Sequence, residues 1–209
     1  MTHPDNENPI PESHLNFLAV LDLLMRDPQR LLAAAEEPGQ PRVFPYLLLA
    51  AVANLFVYGV VAGSFSMNAQ LWAAPLKIVT GSVFACVICL PSLYIFASLS
   101  GRCIRPKALL VAMTAMLALA SLLLLGLAPV VWIFSQSTDS LRFVGPLNLL
   151  AWMIALWFGL RLFKQLRGES PSAEFAAESG GHLKVWGMIF VLVLAQVSTS
   201  LRPILGTAP

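Results

Sequence analysis

Charge is scarce in this 209-residue chain: Lys, Arg, Asp and Glu make up 11% of it, against about 25% in globular proteins. A lipid-embedded chain needs that deficit, because a charge at mid-bilayer costs about 2.5–3.5 kcal/mol per residue on insertion scales. The net charge of +2 gives no reason to expect nucleic acid, and no Lys/Arg run forms a phosphate-binding patch. Three cysteines, Cys86, Cys89 and Cys103, make no secreted disulfide framework. The first 13 residues hold Asp5, Glu7 and Glu12 but no Lys or Arg, so no signal peptide is expected and the first span directs insertion. His3, His14 and His182 lack ligand spacing, and neither an HExxH nor paired intramembrane carboxylates occur. Neither a metal, a cofactor nor catalysis is expected from these residues.

What the chain has in abundance is apolar length: 57% of its residues are hydrophobic. A bilayer core of about 30 Å takes roughly 20 residues of α-helix. The run from Leu71 to Ser100 exceeds that, with Lys77 as its one charge, and leads into Arg102, Arg105 and Lys107. Four more stretches follow the same logic, which gives expected spans at about 43–65, 72–99, 108–134, 143–163 and 183–204. The expected fold is all-α, a polytopic membrane protein with five transmembrane helices in one domain over 43–204. Pro91 is expected to loosen or kink the second span. No internal repeat marks a two-halved transporter.

Ahead of the spans, residues 1–13 are polar and proline-rich and read as a disordered tail. Residues 14–42 read as a cytoplasmic amphipathic helical segment in two pieces. Asp27-Pro28 supplies the break, with Asp as N-cap and Pro at the first helical position, where its missing N–H is harmless. These helices either lie apolar face down on the membrane or pack on the cytoplasmic ends of the spans.

Basic residues set the orientation. Arg26, Arg30, Arg42, Arg102, Arg105, Lys107, Arg161, Lys164, Arg167 and Lys184 fall on one side, and only Arg142 and Arg202 on the other. The positive-inside rule then puts the N-terminus in the cytoplasm and, with five spans, the C-terminus outside.

A candidate polar cluster gathers toward the outer side. Lys77 lies inside the second span, where an ionisable residue is a functional-site hypothesis, although it is also within snorkelling reach of the interface. Asp139 in the outer loop is the one acid expected on that side and the natural partner for Lys77. Gln196, Thr199 and Ser200 share a helical face at the end of the fifth span, with Arg202 off that face. With Gln136 they either line an outward-facing pocket or serve as interhelical hydrogen-bonding groups. Gly59 and Gly63 form a GxxxG in the first span that permits close helix packing. Asn54 and Asn148 read as interhelical bonding residues, the Cys86/Cys89 pair as packing, and Trp72, Trp132 and Trp186 as interfacial anchors.

With a cytoplasmic lead, five spans and Asp27-Pro28 within DLLMRDPQRLL, the chain resembles the Yip-domain family of five-span membrane proteins. The Asp-Leu-Tyr-Gly-Pro signature of its eukaryotic members is absent, so their binding of Rab-type GTPases is not implied. The runs QLWAAPLK, CLPSLYIFASLSG, WIFSQSTDS and LRPILG resemble uncharacterised bacterial membrane proteins. The resemblance implies a multi-pass protein of the bacterial inner membrane that organises or assists other membrane components. Its expected partners are lipids and a membrane protein or further copies of itself. The alternative is a small permease or lipid-handling protein that uses the polar cluster around Lys77.

Overall fold

The computed structural model describes residues 16–36, 42–64, 70–99, 106–137, 141–166 and 185–196. All of its regular structure is helical: α1 (Phe17–Arg26), α2 (Pro28–Glu36), α3 (Val43–Gly63), α4 (Gln70–Leu99), α5 (Pro106–Ser137), α6 (Leu141–Leu166) and α7 (Val185–Gln196). Helices α3 to α6 each carry a stretch long and apolar enough to cross a membrane. They match the first four expected spans to within a few residues. The fifth expected span, 183–204, is described only as α7. Its 12 residues rise about 18 Å, short of a bilayer core, and residues 197–204 lie outside the described part.

α5 is the centre of the bundle. Some 72% of its apolar segment is buried, against 44%, 33% and 28% for those of α3, α4 and α6. Its sequence explains this, because Ala108, Ala112, Ala115, Ala118, Ala120 and Ala128 place small side chains on every face and let neighbours come close. α3 and α6 make the most extensive contacts with it, and α4 lies chiefly against α3. Along α3, Leu47, Ala51, Leu55, Tyr58 and Ala62 recur every three or four residues and are buried. Large apolar groups such as Leu49, Phe84, Ile88, Leu149 and Trp157 remain exposed, as they must where lipid is the solvent.

α4 runs unbroken through both Pro75 and Pro91. Near the second proline, Ser92 Oγ donates to the Cys89 carbonyl at 2.8 Å. α7 lies antiparallel to α6, since Trp186 stacks on Phe163 with ring centroids 5.1 Å apart and Gly187 faces Leu160.

α1 and α2 form a short helical pair at the end of the bundle where α3 and α5 begin. Asp27 joins them: its Oδ1 accepts from the Arg30 backbone N–H at 3.2 Å, and Pro28 opens α2. The same Asp27 pairs with the Arg30 guanidinium at 3.0 Å, and Asp22 with Arg26 at 2.7 Å. Of the two placements the sequence leaves open, packing on the span ends is the one observed. Val20, Leu24, Leu31 and Ala35 belong to the same buried core as the spans, and Phe17 meets Tyr46 of α3 edge to face at 6.3 Å. Arg26, Arg30, Arg42, Lys107, Arg161 and Lys164 lie on α1, α2 or at this end of the bundle, whereas Arg142 lies at the opposite end.

Candidate functional site

Four places in the bundle combine polar groups or close approaches with membrane depth. The first is the contact between α3 and α4. A Cβ added to Gly59 would sit 2.8 Å from Pro75 Cβ and closer still to Pro75 Cα, so only glycine lets these two backbones meet. Gly63, one turn on, is also buried. The GxxxG face is thus occupied from within the chain at Gly59, and that glycine is not available for a partner.

The second is a polar bridge across the α3–α6 gap. The Tyr58 hydroxyl donates to Asn148 Oδ1, and the Tyr58 ring meets Trp152 edge to face at 6.3 Å. Tyr58 is fully buried. Asn148 therefore acts as an interhelical bonding group. Sequence reasoning passed over Tyr58, although it lies one turn beyond Asn54 in the same span.

The third corrects an expectation. Trp186 is not an interfacial anchor: it is fully buried, stacked between Phe163 and Phe190, with its indole N–H directed at the Cys89 carbonyl 3.4 Å away. The aromatic neighbours Phe163 and Phe190 draw the ring inward, and the carbonyl satisfies its one donor. Trp72 and Trp132, by contrast, are exposed, as lipid-interface residues are. Cys86 and Cys89 are both free thiols within the packed part of α4.

The fourth is the polar cluster itself. Asp139, Thr199, Ser200 and Arg202 lie outside the described residues, so a Lys77–Asp139 contact lies outside them too. Lys77, the eighth residue of α4, is half-buried, and Gln136 is exposed in the last turn of α5. Gln196, also exposed, ends α7. The Trp186–Cys89 contact fixes the level of α7 against α4. Ten residues up α7 from Trp186 correspond to ten residues back along antiparallel α4 from Cys89, which brings Gln196 level with residue 79, about 3 Å from the level of Lys77. By that count Lys77 and Gln196 come to similar levels on α4 and α7.

No group of three or more His, Cys, Asp or Glu side chains among the described residues could hold a metal ion. A further feature was not legible in the sequence: a groove between α6 and α7 lined by apolar side chains and Arg161.

No family model, curated protein or solved structure matches the chain. The functional reading therefore stands on residues and geometry.

Proposed function

We propose that this protein organises or assists other components of a bacterial inner membrane, without chemistry of its own, in the manner implied by its resemblance to the Yip-domain family. In this reading the basic end, with α1 and α2, faces the cytoplasm, and a fifth span continues α7 to an extracytoplasmic C-terminus. The observation that carries the proposal is the two-sided character of α1. Val20 and Leu24 lock the helix onto the bundle, while Leu18 and Met25 are 74% and 65% exposed beside the Asp22–Arg26 pair. Two exposed apolar side chains with a charged pair between and beside them, on a helix fixed at the membrane end, offer a surface suited to a partner's helix. The test is purification in mild detergent from native membranes, comparing the wild type with a Leu18→Glu/Met25→Glu variant. A stoichiometric membrane partner present with the wild type and absent with the variant is the expected result. The same protein recovered with both, or no protein with either, would sink the proposal.

The similar level of Lys77 and Gln196 favours a second reading, a small permease or lipid-handling protein using that cluster. Lys77→Met separates the two: an organising protein keeps its partner, whereas a transport or lipid site fails.

A further inference from the structure

The groove between α6 and α7 has a volume of about 710 Å3. Trp186 and Gly187 form its buried floor, and Trp157, Met188 and Leu192 form a rim exposed at 70%, 75% and 63%. One charged side chain, that of Arg161, lines it. α6 ends at Leu166, so Arg161 lies about 7.5 Å from the basic end of that helix, near the depth where headgroups meet hydrocarbon. The ion pairs Asp22–Arg26 and Asp27–Arg30 do not involve Arg161. Arg161 is therefore without a carboxylate partner among the described residues.

An apolar channel open to lipid, with a guanidinium at interfacial depth, matches an amphiphile rather than a polypeptide. Helices associate in lipid through small residues that let backbones close and through polar cross-links. The bulky rim here would hold a second helix away, and a two-fold dimer would bring two Arg161 side chains into one interface. An acyl chain bends between such side chains, and a phosphodiester offers the paired oxygens that an arginine fork binds. Basic pockets between helices at the cytoplasmic side recognise anionic headgroups by this chemistry.

We propose that the α6–α7 groove holds one anionic phospholipid, with an acyl chain along its apolar floor and the phosphate on Arg161. Such a lipid would brace α7 against α6, and it is compatible with either role above.

The test is native mass spectrometry of the delipidated full-length protein, titrated with phosphatidylglycerol or with phosphatidylcholine of the same acyl chains. The wild type should retain a single phosphatidylglycerol about tenfold more tightly than phosphatidylcholine, because both offer a phosphodiester but the second adds a trimethylammonium that the guanidinium repels. Arg161→Gln, at an exposed position, should abolish that preference by weakening phosphatidylglycerol about tenfold, with a smaller loss for phosphatidylcholine, whose phosphodiester meets the same guanidinium, while Arg161→Lys should restore part of both. Val191→Trp, which fills the groove, should weaken both lipids. An undiminished preference in Arg161→Gln would overturn the proposal. So would equal binding of the two lipids by the wild type, or a dimer cross-linked through Met188→Cys.

Discussion

The hydroxyl of Tyr58 donates to Asn148 across two helices that scarcely approach one another and are joined mainly through α5. Inside a bilayer no water competes for either group, so the bond ties α6 to α3. Tyr58→Phe and Asn148→Leu should each lower stability in detergent by about 0.6–2 kcal/mol, the range for interhelical polar contacts. The double variant should cost less than the sum of the two. Additive losses in thermal unfolding would show that the two residues act separately.

Gly59→Leu should be among the most damaging single changes in the bundle. The new side chain would meet the Pro75 backbone, which cannot rotate away, and the α3–α4 pair must separate at a cost of about 1–3 kcal/mol or more. Gly126 is the control, since nothing lies within 4 Å of a Cβ there. Gly126→Ala should be neutral or stabilise by about 0.5–1 kcal/mol. Thermal unfolding of the purified variants reads both, and equal behaviour would contradict the packing.

Removing the Trp186 ring should expose Cys89. Trp186→Ala empties a fully buried site and should cost about 3–5 kcal/mol, with faster maleimide labelling of Cys89 in a protein lacking Cys86 and Cys103. Trp186→Phe keeps a ring stacked on Phe163 and Phe190 and loses a long 3.4 Å hydrogen bond and only part of the buried volume. Its cost should be near 0.5–1 kcal/mol, with labelling close to that of the wild type.

Asp27→Ala removes the cap of α2 together with its pair to Arg30. A loss of about 0.5–2 kcal/mol is expected, concentrated in α2. Hydrogen exchange should accelerate at the α2 amides and leave α5 protected; uniform acceleration would mean that the hairpin and the bundle unfold as one unit.

Single cysteines in place of Asn16 and Gln136 should label from opposite faces of sealed vesicles, with Asn16 on the cytoplasmic side. Labelling of both from one face would overturn the proposed orientation.

Much of the architecture was legible in the chain. The first four spans could be placed within a few residues because apolar length is set by bilayer thickness and needs no knowledge of neighbours. The Asp27-Pro28 junction was legible for a similar reason, since capping is local chemistry. The candidate site was legible only as residue types. Lys77 and Gln196 stand 119 positions apart in the sequence, and their similar level follows from where Trp186 meets Cys89. The role of Trp186 was misread because a tryptophan near a span end looks the same whether it faces headgroups or stacks on Phe163 and Phe190.

By itself, then, the amino-acid order determined that this chain forms apolar helices, where they begin, and which end of the bundle carries the positive charge. Each of these follows from the cost of exposing polar backbone or charge to hydrocarbon, summed along one segment. Tertiary structure decided which helix is central and which partner fills the Gly59 face. It also decided whether α1 and α2 lie on lipid or on the spans, and that α6 and α7 part to leave a groove at Arg161. Inside a bilayer every helix face is apolar, so hydrophobicity cannot select among neighbours. Only the fit of small against large side chains, and a few hydrogen bonds such as Tyr58 to Asn148, makes that choice.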